Sequence, residues 1–287
     1  MSDKKIDQET GVETTGHVWD GIEELNNPLP RWWLWTFYLT IIWGIGYCIT
    51  FPAWPLISGA TEGVLGWSTR ANVAEAIQNH DAQNEELVSA LVSVDLATLK
   101  PGDDLHRYAV ARGGAVFRAH CSQCHGSGAA GAKGYPNLLD DDWLWGGSLE
   151  DIAFSVRHGI RNETDDEARY SEMPAFGEFL TDEEIAAIAE HVLSLSSSEF
   201  DVALAAKGTT MFNENCASCH GADGTGDRTQ GAPNLADAIW LYGGDRASLS
   251  QSISNARFGV MPAWGQRLSE EDVRAVSAFV HTLGGGE

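Results

Sequence analysis

The chain has 287 residues, 43% of them apolar and 21% charged, which suits about two ordinary domains with connecting elements and excludes a disordered protein. A net charge of −23 excludes the phosphate-neutralising surface that nucleic-acid binding requires. Four of the five cysteines form two Cys-x-x-Cys-His runs, which excludes a disulfide framework as the organising device.

In chain order, residues 1–31 are mostly polar and acidic and read as a cytoplasmic N-terminal segment. Residues 32–51, Trp32 to Phe51, carry no charge. At about 1.5 Å per residue this run makes roughly 30 Å of helix, the thickness of a hydrocarbon core. Trp32, Trp33 and Trp35 at its start and Trp54 past its end form an interfacial aromatic belt, and Pro52 and Pro55 stop it. The polar stretch ahead of it and the lack of a small-residue cleavage site after it predict an uncleaved, single-pass anchor. Arg31 adjoins its N-terminal end and the next basic residue is Arg70, which places the N-terminus in the cytoplasm. Cys48 is then a lone thiol within the span. Residues 52–105 are a helical spacer, with Ser68 to Asp95 reading as one polar helix or a pair.

Beyond the spacer the chain repeats itself. Residues 106–196 and 203–287 contain, in the same order, GGAVFRAHCSQCHG and GTTMFNENCASCHG, PNL, WLWGG and WLYGG, RHG and RFG, MPAFG and MPAWG, and a closing amphipathic stretch. Two copies are too few for a solenoid and imply a duplicated small domain. Thr181 with Glu184, and Ser269 with Asp272, open the closing helices as capping-box-like starts. Ile185, Ile188, Ala189 and Val192 recur at helical spacing, as do Val273, Val276 and Val280. No alternating strand pattern stands out, and the fold class is all-α. The run from Ser194 to Ala203 joins the units.

Cys-x-x-Cys-His places two sulfurs and an imidazole on one side of a helical turn. Both thiols can then add to the vinyl groups of one haem while the imidazole meets its iron. Cys121, Cys124 and His125 form the first set; Cys216, Cys219 and His220 form the second. A zinc site would need further Cys or His at regular spacing, and the one remaining Cys, Cys48, lies in the apolar span. Met173 and Met261, both in Met-Pro-Ala-aromatic-Gly, are the candidate sixth ligands. His/Met coordination raises the potential and fills both axial positions, which suits electron transfer. Each Met is expected to serve the haem of its own repeat, with exchange between repeats left open. The carbonyls of Pro136 and Pro233 are placed to accept the ligand His N–H. His158 faces Phe258 in the repeat alignment, and His17, His80, His106, His120, His191 and His281 have no counterpart, so none of them is expected to be a shared ligand.

Met-x-x-Gly after Cys-x-x-Cys-His, with PNL between, resembles class I cytochrome c in both halves. HVWDGIEELNNPLPRWWLWTFYLTIIWGIGY, from His17 to Tyr47, resembles the start of the diheme subunit (CcoP/FixP) of bacterial cbb3-type cytochrome c oxidases. The resemblance covers nearly the whole chain. It implies two tandem class I cytochrome c domains with two covalently bound haem c groups, and a non-catalytic subunit that relays electrons. The donor would be a cytochrome c, and the recipients the monohaem and catalytic subunits of a proton-pumping, oxygen-reducing complex in the bacterial inner membrane. The haem domains would be periplasmic. Two other readings remain beside it: a diheme peroxidase, against which the matched Met loops argue, and a membrane-anchored diheme cytochrome subunit of a periplasmic dehydrogenase. The first unit also carries an acidic insert, Ile160–Glu172, whose Asp165, Asp166 and Glu167, with Asp140–Asp142, are candidates for docking a basic cytochrome c.

Overall fold

The computed structural model describes residues 5–196 and 199–287 and contains two compact units, Met1–Gln83 and Asn84–Glu287. Of the expected joining run, Ser197 and Ser198 lie outside the described residues.

In the first unit, β1 (Thr14–Trp19) and β2 (Ile22–Leu25) pair as an antiparallel hairpin. No strand was expected here. Its turn is Asp20–Gly21, both at positive φ, the dipeptide that matches the twist of two-residue hairpins. Pro30 then precedes α1 (Arg31–Thr50), and Phe51 is extended ahead of Pro52, as the restriction on residues before proline requires. The helix has a mean hydropathy of 1.3 and no buried residue. So continuous an apolar surface marks a contact with lipid or with another protein. A two-residue hairpin, β3 (Pro55–Leu56) with β4 (Gly59–Ala60), follows, and then α2 (Thr69–Ser93), a single helix where one or two were expected.

The second unit starts within α2 and includes both repeats. Its helices are α3 (Asp104–Val116), α4 (Ser122–His125), α5 (Leu149–His158), α6 (Asp182–Ser196), α7 (Val202–Asn215), α8 (Ala217–His220), α9 (Arg246–Asn255) and α10 (Glu270–His281). Leu91 and Leu96, at and after the end of α2, lie in one apolar cluster with Ala109, Leu149, Ala153, Ala275 and Ala278. Arg274 Nη1 donates to the carbonyls of Leu91 (3.2 Å) and Val94 (2.7 Å), satisfying acceptors that a helix end leaves open.

The repeats do not close on themselves. The opening helix of the first, α3, crosses the closing helix of the second, α10, and α7 crosses α6 in the same manner. Both crossings depend on a glycine four residues before a buried phenylalanine. A Cβ on Gly113 would lie 2.0 Å from the Ala275 carbonyl oxygen, and one on Gly208 would lie 2.0 Å from that of Ala187. The phenylalanines complete each contact: Phe117 meets Phe279, and Phe212 meets His191, with ring centroids 5.4 and 4.9 Å apart. Across the first crossing Tyr108 donates to Glu271 (2.5 Å), and Arg112 Nε lies 2.8 Å from Glu271 and 2.9 Å from Asp272. Burial together with the Glu271 carboxylate pushes the Tyr108 hydroxyl up to about 12, which keeps it a donor.

The chain changes sides at two places. Ile160 and Met261 exchange both backbone hydrogen bonds at 3.0 Å, and Arg161 Nε donates to the Gly259 carbonyl at 2.7 Å. The insert is therefore a strap between the halves. The arginine that matches Arg257 is Arg169 rather than Arg157. Each stands four residues before its Met, lies over the aromatic ring of the Trp-Leu-aromatic loop, and donates through Nη2 into the helix that follows that loop.

At the start of α6 the capping box is reciprocal: Thr181 N–H donates to Glu184 at 2.8 Å, and Glu184 N–H to Thr181 Oγ1 at 3.3 Å. In α10 only half of it forms, because Asp272 turns to Arg112. Thr181→Ala is expected to cost about 1 kcal/mol, read as a lower denaturant midpoint at unchanged m-value. No loss at all would mean that the cap contributes nothing.

Candidate functional site

The Cys-x-x-Cys-His runs begin where the opening helices end. Phe117–Cys121 is a single π-type turn leading into α4, while in the second repeat α7 runs to Asn215 and leads through Cys216 into α8. No disulfide joins any of the five cysteines. Burial, with a smaller contribution from the neighbouring cysteine, pushes Cys121 and Cys216 up to about 11. Thiol redox enzymes of the Cys-x-x-Cys type depress one pKa instead, so these pairs are poorly suited to disulfide exchange.

His125 Nδ1 lies 3.1 Å from the Pro136 carbonyl, and His220 Nδ1 lies 3.1 Å from that of Pro233. A carbonyl can only accept, so Nδ1 carries the proton and Nε2 keeps its lone pair for a metal. Burial lowers both imidazole pKa values, against the smaller opposing effect of the carbonyl bond, and keeps the rings neutral.

The two candidate methionines lie across the exchange. Met261 packs with Phe117, Cys121, Trp143, Ile152 and Val273, around the first Cys-x-x-Cys-His. Met173 packs with Phe212, Cys216, Trp240, Leu249 and Ile188, around the second. Own-repeat pairing was expected, but each Met packs beside the Cys-x-x-Cys-His of the other repeat. The Met loops travel with the closing helices, and those helices have changed partners. The first pocket is thus built from α3, α4, α5 and α10, and the second from α6, α7, α8 and α9.

Both pockets suit a flat apolar group held by sulfur and nitrogen. Their walls are aromatic and aliphatic, and each offers a thiol pair, a neutral imidazole and a thioether. At the first pocket two buried donors, Trp145 Nε1 and Arg169 Nε, have no partner among the described residues. Sequence reasoning missed Trp145, Arg169 and the crossing glycines. Their signals are Gly-x-x-x-Phe before both cysteine motifs and Arg-x-x-x-Met in both Met loops.

The N-terminal domain of cytochrome oxidase-cbb3, FixP, matches residues 11–58, and cytochrome c oxidase, cbb3-type, subunit III matches residues 109–192 and 203–280. The chain belongs to the CcoP/FixP family of cbb3-type cytochrome c oxidase subunits. It is 58% identical to the cbb3-type cytochrome c oxidase subunit CcoP of Cereibacter sphaeroides, over 100% of both chains. It is 52% identical to the subunit FixP of Sinorhizobium medicae, over 99% of this chain and 98% of that one. It is 50% identical to a CcoP of Rhodobacter capsulatus, over 99% of each. Membership of this family fits the all-α second unit and the apolar α1, and it does not favour the dehydrogenase-subunit reading.

Asp165, one of the expected docking residues, turns inward. It sits 3.2 Å from His158 Nδ1 and caps the Glu167 N–H, leaving Asp166 and Glu167 exposed. Asp142 is pushed up to about 6 by burial and by the nearby Asp237 and Asp140, so the acidic run holds less charge near that pH than its composition suggests.

Proposed function

We infer that this chain is the electron-transfer subunit of a cbb3-type cytochrome c oxidase, holding two covalently bound haem c groups and performing no oxygen chemistry itself. The observation that carries the reading is that each Cys-x-x-Cys-His lies in one apolar pocket with one Met-Pro-Ala loop, twice, in a chain whose full length matches subunits of that name. Haem iron supplies the one-electron couple. Cys121, Cys124 and His125 with Met261, and Cys216, Cys219 and His220 with Met173, are the residues that would hold it. The Pro136 and Pro233 carbonyls fix the imidazoles and raise their basicity. The thioethers favour the reduced state, and the apolar walls exclude water from the couple.

On this reading α1 spans the inner membrane, with the N-terminus cytoplasmic and the second unit periplasmic. A donor cytochrome c delivers electrons, and the monohaem and catalytic subunits receive them. The donor meets an acidic face, of which Asp141 and, on the strap, Asp166 and Glu167 are exposed. Purification of the full-length chain from mild detergent is expected to yield two haem c per chain together with the oxidase subunits. The same chain without residues 1–58, exported by a cleavable signal, is expected to be soluble, to carry both haems and to lack those companions. Recovery of a periplasmic dehydrogenase with the full-length chain would sink the reading.

A further inference from the structure

The insert that distinguishes the first repeat also gathers a set of metal-ligating side chains. After α5 the first repeat reads Arg157-His158-Gly159, and the strap follows before Met173 is reached. The second repeat reads Arg257-Phe258-Gly259 and comes to Met261 two residues later. The histidine and the insert thus occur together in one repeat and are missing together from the other.

The strap folds back over the end of α5. Arg161 stands at a φ of 51°, Ala168 N–H donates to the Asp165 carbonyl at 3.1 Å, and Glu167 N–H donates to Asp165 Oδ1 at 2.9 Å. This turn presents both carboxylates to His158. Its Nδ1 lies 3.2 and 3.3 Å from the two Asp165 oxygens and 3.6 Å from Glu167 Oε2. One ligand atom from each of the three residues lies within 4.8 Å of the other two. The His158 and Asp165 side chains are 13% and 16% exposed, while Glu167 is 74% exposed and leaves a path for an ion from water. The imidazole packs on Phe154, with ring centroids 4.6 Å apart, which fixes its plane.

These separations are long for a simple ion pair and suit ligands spread around a small cation. A charge-assisted N–H···O bond closes to about 2.7–2.9 Å, and no oxygen comes that near to Nδ1. In a tetrahedral site with bonds of about 2.1 Å, the ligand atoms stand roughly 3.4 Å apart. The three oxygens lie on either side of that value.

We propose that His158 Nδ1, Asp165 and Glu167 bind a divalent first-row transition metal of the zinc type, with water completing its shell. The imidazole selects against calcium and magnesium, which take oxygen ligands, and two carboxylates balance the charge of the ion. The site lies outside both Cys-x-x-Cys-His pockets, and the inference does not rest on the haem reading. When the metal binds, Nδ1 offers its lone pair and the ring proton sits on Nε2. The ion then ties the outer turn of the strap to α5. On its other side the strap holds the second repeat, through Ile160 paired with Met261 and through Gln266 Nε2 donating to the Thr164 carbonyl at 2.6 Å. An occupied site therefore fastens the Met261 loop to α5 by way of the strap, and it offsets two charges of the acidic face.

The test is zinc binding by the full-length chain, purified with its oxidase subunits and washed with a chelator, followed by hydrogen exchange of the amides in residues 160–169. Zinc chloride is expected to slow their exchange in the wild type, and calcium chloride at the same concentrations to leave it unchanged. The zinc concentration for half-protection should rise by about tenfold or more in Glu167→Gln and in His158→Phe, since loss of even an outer-shell partner weakens a metal site by that much. Glu167 is exposed, so Gln there leaves the fold intact, and Phe is the residue that the second repeat carries. Absence of zinc protection in the wild type, equal protection in the wild type and both variants, or equal protection by calcium would overturn the proposal.

Discussion

Replacing Met261 with His is expected to lower the potential of the haem carried by Cys121 and Cys124, and to leave the haem on Cys216 and Cys219 near its starting value. Sequence order predicts the opposite, since Met261 follows Cys216 in the same repeat. The expectation comes from packing: Met261 shares its apolar cluster with Cys121, Phe117 and Val273, not with Cys216. Axial ligands move haem potentials over a span of about 0.8 V, and exchanging a thioether for an imidazole removes the ligand that favours ferrous iron. A drop on the order of a hundred millivolts or more is large enough to resolve two overlapping titrations. Assignment follows from combining Met261→His with Cys216→Ala and Cys219→Ala, which leaves one haem per chain. If the surviving haem keeps its original potential, Met261 serves the second site and the exchange is wrong.

Much of the site was legible in the sequence. Cys-x-x-Cys-His and Met-Pro-Ala-aromatic-Gly are local motifs whose chemistry follows from spacing, and PNL announced the carbonyl that receives each imidazole N–H. The anchor was legible because length and apolar composition suffice for it. The hairpin at Asp20–Gly21 was missed because its strands are too short for alternation to emerge. The exchange was hidden for a different reason: both opening helices offer the same Gly-x-x-x-Phe face, and both closing helices offer the same small residue, Ala187 or Ala275, to receive it. Nothing in the shared motifs chooses between the two pairings.

Two positions where the repeats differ oppose the alternative pairing. In the second pocket Glu190 on α6 is buried at 3% exposure, paired with Arg246 at the start of α9, and accepts the Asp201 N–H at 2.7 Å. Arg246 and the Asp201 bond hold its carboxyl below the usual glutamate range. In the first pocket the matching positions are apolar: Ala278 on α10 lies in one cluster with Leu149 on α5, Leu91 and Ala153. If α6 folded back onto α3, Glu190 would take the place of Ala278 among those side chains, without a cation. A buried carboxylate stripped of its partner costs roughly 3–5 kcal/mol, a large part of the 5–15 kcal/mol by which domains are stable.

That asymmetry predicts how pieces of the chain behave. A fragment of residues 106–198 is one complete sequence repeat, yet it contains α3 and α5 without α10 or Met261, and its own α6 brings Glu190 to the apolar site. A fragment of residues 170–258 is a repeat by no sequence criterion, yet it carries Met173, α6, α7, the second Cys-x-x-Cys-His and α9, with Glu190 still facing Arg246. Exported to a compartment that attaches haem c, the second fragment is expected to give a soluble, cooperatively unfolding, low-spin cytochrome with one haem. The first is expected to be degraded or to unfold without cooperativity, and Glu190→Ala in it should restore part of the missing stability by removing the stranded charge. Equal stability of the two fragments, or a 106–198 fragment indifferent to Glu190→Ala, would show that each repeat closes on itself and that the Glu190–Arg246 pair does not select the exchange.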